Sequence, residues 1–499
     1  MSESRVSTAR RFHEATKYSP RTVGSHPGLD WSKQPVPFKN FLSEDRVELA
    51  SKLLVARDEA TERLMVLPHQ DGPIDLPRLS TILLHTFGVT AVMHDNLGNQ
   101  QLFRAAPSAG ALYPTEIYVV CREIEGVPDG IHNYQVRDHS LAPVLEGDFA
   151  ADLRSIAFGH PAVTASNCVL LFGAIWYRSA WRYMDRAYRR ILLDTGHAIG
   201  NLALIAPRFG LRAPMVADFD DEALTSLLLL DDRQESILTL VPLVAAEVRT
   251  PRPPLRRSSD AEVFAESLIV ALHRAGRLNG SEERAQSPDE PDPQPDLPLL
   301  PLPPGRVELG EKLAETILDR RSTREFTGGP ILFEELAALL RFTADPLQQE
   351  SGPGSREEFI APRRLSTWIA ALNVTGLEAG LYAVDPDLQG LRLVRAGRFA
   401  ADCHRITLGQ ELGRSAAAIV FHTTRLDRLV RDFGDRGYRY LGLDAGHLGE
   451  RLNLAALRAG LGISGIGGYF DDEINELFGF APEEAVVYVT CIGQPPQEF

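Results

Sequence analysis

Three short segments of the 499-residue chain combine residue types that suit an anionic, planar ligand. The segment RRSTREF at 320–326 offers guanidinium groups and a hydroxyl that can bind a phosphate. The segment GISGIGGYF at 462–470 has glycines that let the backbone approach a flat ring, since glycine has no Cβ. The segment PSAGALYP at 107–114 sets a hydroxyl and backbone groups beside small side chains. Each segment alone is also typical of an ordinary turn or helix end.

An internal repeat gives these segments their context. YRRILLDTGH at 188–197 and YRYLGLDAGH at 438–447 agree at Tyr, Arg, Leu, Asp, Gly and His with an offset of 250 residues. Three further pairs of similar segments occur in the same order in both halves, at 124–134 and 374–384, at 219–228 and 470–479, and at 72–83 and 329–340. Such a series of matches predicts a duplication.

The elements around the repeat indicate an α+β protein of two halves. Strongly apolar helices are expected after each Asp-x-Gly-His motif, ending at Gly210 and Gly460, and runs such as AAIVFHTT and AVVYVTCIG are typical of covered strands. We therefore predict two domains, each with a central mixed sheet covered by helices. The boundaries are 1–278 for domain 1 with an N-terminal extension, 279–305 for a Pro-rich linker, and 306–499 for domain 2.

A helix is predicted over 260–278, packed on the first half, because its apolar residues recur at helical spacing. The linker after it has prolines every two or three residues between 287 and 305, which favours an extended spacer.

The two copies differ where the ligand-binding segments lie. Half two, after the linker, keeps RRSTREF and GISGIGGYF, whereas half one has RLMVLPH at 63–69 and LRAPMVADF at 211–219. Half one keeps PSAGALYP, whereas half two has EEFIAPRR at 357–364. Random divergence would not sort the segments so consistently, so one complete set is divided between the halves.

In this combination and order the segments resemble those of the nitroreductase superfamily of flavoenzymes, and more narrowly its azoline-oxidising, SagB-type dehydrogenases. The resemblance implies that FMN is the cofactor and that the two halves form a pseudo-dimer with a single complete flavin site. Half two would supply the phosphate arginines and the Gly-rich loop, and half one the Pro-Ser motif.

The resemblance also carries over individual residues to this site. The phosphate would be held by Arg320, Ser322 and Arg324. The edge of the flavin would lie against Pro107, Ser108, Ala109 and Gly110, and the flavin ring would lie beside Ile466, Gly467 and Gly468. The chain has no basic residue in its terminal GQPPQEF, where many relatives place one for the phosphate, and we predict that Arg104 compensates.

The catalytic prediction centres on Arg182 and Tyr183 in SAWRYMDRAYRR, where azoline-oxidising relatives use a Lys-Tyr pair. Half two has Asp432 and Phe433 there. Arginine, with a pKa above about 12, cannot act as a general base but can stabilise an oxyanion, whereas Tyr183 can transfer a proton. Helical packing of this aromatic segment is an equally good interpretation.

Two repeated histidines, His197 and His447, are expected to form structural hydrogen bonds, since both halves keep them. No cluster with metal-ligand spacing occurs, and no phosphate-loop or strand-linked dinucleotide motif, so NAD(P)H would be a transient reductant. Four dispersed cysteines suit a reducing compartment and are interpreted as buried apolar residues.

Bulk composition excludes several function classes. A net charge of −15 argues against a nucleic-acid partner, and the chain has neither a signal-peptide pattern nor a long apolar run, so we expect a cytoplasmic protein without a membrane partner.

Three functions remain open from the sequence. The first is an FMN-dependent dehydrogenase that oxidises a peptide-borne or carrier-borne heterocycle or amide in natural-product maturation, with hydride transfer to flavin N5. The second is an NAD(P)H-dependent nitro or quinone reductase acting on a small molecule. The third is a degenerate, flavin-free scaffold that binds a partner.

Overall fold

The two predicted halves are each built on a seven-stranded sheet with helices on its faces. Arg63, the expected counterpart of Arg320 in half one, lies outside the residues that the structure describes. The structure, a computed structural model, describes residues 6–24, 28–43, 45–49, 74–94, 100–248, 253–259, 263, 265–280, 295–348 and 358–496.

Within the described residues, half one has a main sheet in the strand order β1-β6-β5-β4-β7-β9-β8 and a separate β2–β3 hairpin. The strands are β1 Val47–Glu48, β2 Val89–His94, β3 Gln100–Arg104, β4 Thr115–Cys121, β5 Gly130–Gln135, β6 Ser140–Glu146, β7 Cys168–Ile175, β8 Leu211–Arg212 and β9 Glu235–Ala245.

Half two repeats this order as β10-β15-β14-β12-β16-β18-β17, with a short parallel β11–β13 pair beside it. The strands are β10 Leu299–Pro301, β11 Ile331–Leu332, β12 Ser366–Ala371, β13 Val374–Thr375, β14 Gly380–Val384, β15 Gly390–Ala396, β16 Ala418–Arg425, β17 Gly462–Ile466 and β18 Glu484–Gly493.

The α-helices of the described residues cover both faces of the sheets. They are α1 Thr8–Ala15, α2 Leu76–Phe87, α3 Ala150–Ile156, α4 Pro161–Ala165, α5 Trp176–Tyr183, α6 Ala187–Ile205, α7 Asp221–Leu227, α8 Leu268–Ala275, α9 Leu313–Asp319, α10 Phe333–Gln348, α11 Ala400–Ile406, α12 Glu411–Ser415, α13 Leu426–Phe433, α14 Gly437–Arg458 and α15 Asp471–Phe478.

The sheets confirm the predicted α+β class, with one correction. Central strands such as β4 (TEIYVVC) are buried along their whole length and are mostly apolar or β-branched, as expected of a sheet covered on both faces. The exception in β4, Glu116, pairs with buried Arg178. In the two main sheets, however, every described strand pair is antiparallel, whereas we predicted mixed sheets. Short turns join only the β5–β6 and β14–β15 hairpins, and longer connections, several of them helical, join the other antiparallel pairs.

The two longest helices, α6 and α14, hold the Asp-x-Gly-His motifs in their middle. We expected each helix to follow its motif, so the helices begin earlier than predicted. The predicted end at Gly460 is accurate, whereas α6 ends at Ile205 and a 3₁₀ turn over Ala206–Phe209 continues it to Gly210. Gly210 and Gly460 have φ of +67° and +75°, the left-handed conformation that commonly terminates helices. Every residue of α6 from Ala187 to Ala203 is buried, as expected.

Helices α6 and α14 cross at the glycines of the two motifs. A Cβ on Gly196 would lie 2.2 Å from the Leu443 carbonyl oxygen, and a Cβ on Gly446 would lie 2.3 Å from the Leu193 carbonyl oxygen. These two contacts are exchanged by the 250-residue offset. The crossing therefore lies on the pseudo-two-fold axis that relates the halves, which agrees with the predicted pseudo-dimer.

Helices α1 and α8 extend the repeat beyond the four pairs of matching segments found in the sequence. His13 Nδ1 lies 3.2 Å from Tyr438 Oη, and His273 Nδ1 lies 3.3 Å from Tyr188 Oη. Helix α1, which precedes half one, therefore contacts α14 of half two. Helix α8, which precedes half two, contacts α6 of half one. By this symmetry α8 corresponds to the N-terminal helix of half two, although it packs on half one as the sequence predicted.

Equivalent buried ion pairs join the halves at two places. Asp471 accepts from Arg186 and Arg189 at 2.7 and 2.6 Å, and Asp221 pairs with Arg436 and Arg439. Burial opposes ionisation, but the paired arginines hold the pKa of Asp471 and of Asp221 well below the usual range. Each aspartate is therefore a charged anchor between the halves.

The predicted linker contributes a strand to half two. Leu299–Pro301 forms β10 and pairs with β15 at the sheet edge, the position that β1 takes beside β6 in half one. Of the predicted helix over 260–278, the structure describes α8, and residues 260–262 and 264 lie outside the described residues. No helix in the described part of the chain is long and apolar enough to cross a membrane.

Candidate active site

The RRSTREF segment lies directly after α9 and runs along β17, the strand that opens the Gly-rich segment. Thr323 N donates to the Ile463 carbonyl and Ile463 N donates to Thr323 Oγ1, both at 2.9 Å. The predicted phosphate-binding and ring-binding segments of half two are therefore neighbours.

Arg320 reaches from half two into half one. Its Nε donates to the Ala105 carbonyl at 2.7 Å and its Nη2 to the Arg104 carbonyl at 3.4 Å, immediately before the Pro-Ser motif. The side chain is 3% exposed, and its Nη1 has no hydrogen-bond partner among the described residues. Ser322 is half-buried and Arg324 is exposed. A buried guanidinium N–H without a partner suits an anionic ligand, because such a donor otherwise costs about 1–3 kcal/mol.

The Pro-Ser motif is fixed by Asp194, the aspartate of the α6 motif. Ser108 Oγ donates to Asp194 Oδ2 at 2.6 Å, and Ala109 N donates to the same carboxylate at 3.2 Å. Burial raises the pKa of Asp194 to about 7, although Ser108, Ala109 and Arg190 each favour its charged form. Pro107 is half-buried beside this contact.

Tyr183, at the end of α5, lies against the Pro-Ser motif. Its Oη is 2.8 Å from the position of a Cβ on Gly110, and Arg182 Cδ is 3.5 Å from that position. Gly110 has a φ of +66°, so the turn needs glycine for both conformation and space. The predicted catalytic pair and the predicted flavin-edge motif therefore meet, although they are distant in sequence.

Arg190 contacts both the Gly-rich loop of half two and Tyr183. Arg190 Nη2 donates to the Gly467 carbonyl at 2.9 Å, and the Arg190 guanidinium lies 3.8 Å from the centre of the Tyr183 ring. The Ile466 side chain instead packs in the core of half two, and the Gly468 carbonyl accepts from Gln410.

Arg104 is enclosed by aromatic rings. Its guanidinium lies 4.5–4.9 Å from the ring centres of Phe38, Phe87 and Tyr113, and its Nη2 donates to the Pro37 carbonyl. The side chain is 1% exposed, and burial lowers its pKa to about 10. This position does not support the predicted phosphate role, which stays a prediction.

The segment before β1 borders the candidate site. Trp181 Nε1 donates to the Asp30 carbonyl at 3.0 Å, and its ring meets Trp31 edge to face at 5.4 Å. Tyr177, one turn earlier on α5, donates to the Lys33 carbonyl. The sequence interpretation of α5 as a helix with packed aromatic residues is therefore correct for Trp181.

Sequence reasoning missed two residues of this site, Asp194 and Arg190. Asp194 was part of the repeated motif, but its counterpart Asp444 also holds a loop, accepting from Ile360 N at 2.8 Å, so the repeat alone gave no functional signal. Arg190 differs between the halves, since half two has Tyr440, whose hydroxyl donates to Asp218. That difference was the available signal.

The two repeated histidines are internal. His197 Nδ1 lies 2.6 Å from the Leu193 carbonyl and its Nε2 3.1 Å from Tyr488 Oη, while the His447 ring stacks on Phe359 at 4.1 Å. Burial lowers the pKa of His197 to about 4. The expected hydrogen bonds are present for His197. All four cysteines are buried, and the described residues hold no group of three or more potential metal ligands.

Comparison with known proteins decides the family. The model of the nitroreductase family matches residues 69–243 and 317–494. The chain belongs to the nitroreductase family. The two matched ranges are the two halves, so this nitroreductase contains the predicted tandem duplication.

The whole arrangement has a counterpart of known structure. A crystal structure of a protein from Anabaena variabilis, described as a nitroreductase, is 39% identical with a TM-score of 0.87, covering 98% of this chain and 99% of that chain. A nitroreductase-like protein of Methanocaldococcus jannaschii is 31% identical over 186 residues, which is 37% of this chain and 88% of that protein. The two-domain architecture of this nitroreductase is therefore shared along its full length.

Two relatives are named as processing proteins. The chain is 28% identical over 147 residues to the microcin B17-processing protein McbC of Escherichia coli, and 26% identical over 182 residues to the trifolitoxin-processing protein TfxB of Rhizobium leguminosarum. The matches cover 28% and 34% of this nitroreductase, and 52% and 48% of those proteins. It thus spans about half the length of each, in line with the resemblance to the SagB-type branch.

Proposed function

We propose that this protein is an FMN-dependent dehydrogenase that oxidises a peptide-borne or carrier-borne heterocycle or amide in natural-product maturation. The observation that carries the proposal is the contact of Arg320 with the backbone before the Pro-Ser motif, which joins the two divided parts of the site. The similarity of the chain to the microcin B17-processing and trifolitoxin-processing proteins supports the proposed class of substrate.

The residues present fit FMN. Arg320 Nη1 is a buried donor without a partner in the described structure, Ser322 is half-buried and Arg324 is exposed. These three would bind the phosphate, and two or three charge-assisted bonds contribute roughly 5 kcal/mol. The segments Pro107–Gly110 and Ile466–Gly468 would border the ring, whose burial adds about 6 kcal/mol before entropy costs.

The protein's own chemistry in the proposed reaction is proton transfer. FMN bound there would supply the hydride acceptor, its N5 atom. Tyr183, as the phenolate, takes the proton that the substrate loses at the neighbouring atom and becomes the neutral phenol. Exposed Arg182 stabilises negative charge on a substrate oxygen. Gly110 leaves room for the Tyr183 hydroxyl and Gly467 leaves room for the Arg190 guanidinium, because neither glycine has a Cβ.

A second candidate is an NAD(P)H-dependent reductase of nitro compounds or quinones. The replacement of the relatives' lysine by Arg182 favours it, because arginine cannot serve as the general base that azoline oxidation uses. In that function Tyr183 would donate its proton to the reduced substrate.

Anaerobic mixing distinguishes the candidates. A dehydrogenase loaded with FMN should lose flavin absorbance on addition of a thiazoline-containing peptide and stay oxidised with NADPH. Rapid bleaching by NADPH alone would identify the reductase, and a preparation that takes up no FMN would identify a scaffold.

Tyr183→Phe tests the proton-transfer role. The variant should keep FMN and slow substrate oxidation by roughly 10²–10⁴-fold. Tyr177→Phe, on the same helix, removes one hydroxyl hydrogen bond and should leave the rate unchanged. An unchanged rate in Tyr183→Phe would remove this residue from the mechanism.

A further inference from the structure

Tyr183 is the end of a stack of alternating aromatic and guanidinium groups. The Arg186 guanidinium lies 4.7 Å from the ring centre of Tyr469 and 4.2 Å from that of Tyr18. The Arg190 guanidinium lies 5.9 Å from the ring centre of Tyr18 and 3.8 Å from that of Tyr183. We call these five residues the cation–π stack; it begins in half two and ends at the candidate active site.

The three middle layers of the stack are held by half two. Arg186 pairs with buried Asp471, Tyr18 N donates to the same carboxylate at 3.1 Å, and Arg190 donates to the Gly467 carbonyl. The stack therefore cannot shift without breaking contacts between the halves.

The pseudo-symmetric position has a different arrangement. At the 250-residue offset Phe433 replaces Tyr183 and Tyr440 replaces Arg190, and by the α1–α8 correspondence Leu278 replaces Tyr18. Tyr440 there bonds to Asp218 at 2.7 Å. The pseudo-symmetric position, which lacks all three cofactor segments, thus also carries other residues at these three positions of the stack.

Arg190 is an unusual cation for a protein interior. It is 5% exposed, and within the described ranges it forms no ion pair. A buried charge is normally paired with an opposite charge or with a ligand. Its described partners are the Gly467 carbonyl, the Tyr18 hydroxyl and the face of the Tyr183 ring, and the buried Asp194 carboxylate lies near enough to interact with it electrostatically. A negative charge on the Tyr183 phenol would add to the electrostatic stabilisation of this buried guanidinium.

We propose that Arg190 is a positioning residue for Tyr183, which it holds by stacking and supplies with a counter-charge when the phenol loses its proton, and that Tyr18 supports Arg190. This inference rests on the proton-transfer role proposed for Tyr183. It adds a reason why one half has arginine where the other has tyrosine.

The charged surroundings of Tyr183 agree with this role. Burial raises the pKa of Tyr183, and Asp194 and Tyr18 act in the same direction, while Arg190 and Arg182 lower it. Arg182 is exposed and screened by solvent, so Arg190 is the dominant buried charge that favours the phenolate. Removing the Arg190 charge should therefore make the phenol harder to ionise.

The test is a titration of Tyr183 in the full chain by NMR of ¹³Cζ-labelled tyrosine, with Tyr183→Phe identifying the resonance. In Arg190→Gln, which keeps a donor for Gly467, the Tyr183 pKa should rise by about one pH unit or more, and Arg190→Lys should restore it. Tyr18→Leu should raise it by less. Tyr440→Phe, at the counterpart position, should leave it unchanged.

The limb of the turnover–pH profile set by Tyr183 should move to higher pH in Arg190→Gln, whether the phenol acts as acid or base. An unchanged Tyr183 pKa in folded Arg190→Gln would overturn the inference. A raised pKa with normal turnover in Tyr183→Phe would support the positioning by Arg190 and overturn only the proton-transfer role proposed for Tyr183.

Discussion

Gly196 and Gly446 face each other where the two long helices cross, with their Cα atoms so close that a Cβ on Gly446 would lie 2.9 Å from the Cα of Gly196. This contact fixes the distance between the halves, and with it the distance between Arg320 and the backbone it binds across the interface. Alanine in an ordinary helix is more stable than glycine by about 1 kcal/mol, so the sign of a substitution here is informative.

Gly446→Ala should destabilise the protein by roughly 1–3 kcal/mol, because the methyl group would overlap the Leu193 carbonyl. Urea unfolding of the flavin-free protein measures this. A stabilised Gly446→Ala variant would mean that the helices do not cross as described.

Arg324→Ala should weaken FMN binding by roughly 10–150-fold through loss of one charge-assisted bond, and Arg320→Ala should release FMN as well. Flavin fluorescence measures the dissociation constant. Arg321→Ala is the matched control, because Arg321 Nη2 donates to the Thr90 carbonyl instead. Arg63→Ala should also retain FMN, and equal flavin loss in all variants would contradict the assignment.

Gly110→Ala should lower turnover by about 10²-fold with FMN still bound, because a methyl group would displace the Tyr183 hydroxyl. Gly159→Ala separates this effect from backbone strain. Gly159 has a φ of +71° and no atom within 4 Å of the Cβ position. If both variants lose turnover equally, the contact with Tyr183 is not the cause.

Asp194 makes stability depend on pH. Its folded pKa of about 7 lies above the value of an unfolded aspartate, so its contribution is complete below about pH 4 and is lost as pH rises through 7. A difference of three pKa units corresponds to roughly 4 kcal/mol.

Asp194→Asn should remove this dependence, so that the variant gains stability relative to the wild type between pH 4 and pH 8. Urea unfolding at both pH values measures the difference, with Asp152→Asn on the exposed side of α3 as the control. Parallel pH profiles for wild type and Asp194→Asn would contradict a raised Asp194 pKa.

The duplication, the strands and the helix ends could be predicted because they depend on local signals: repeated residues, apolar runs, and glycines such as Gly210 and Gly460. The residue at which α6 begins could not be predicted. Asp194 and His197 look like residues outside a helix, and only their contacts with Ser108 and Tyr488 explain why they are tolerated in its buried middle.

The prediction for Arg104 shows a different limit. The residues next to Arg104 in the sequence do not show whether it binds a phosphate or is enclosed by aromatic rings, because Phe38 and Phe87 come from distant segments. The helix repeat α1–α8 was also missed, because its offset of 260 residues differs from the others and its shared residues, such as His13 and His273, are few.

The covalent fusion of the two halves has a consequence for inheritance. In a dimer of identical chains, a codon change at the position of Arg190 would alter both active sites at once. Here Arg190 and Tyr440 are separate codons. One pocket could therefore acquire specialised chemistry while its twin was released from selection for turnover and kept as a packing partner.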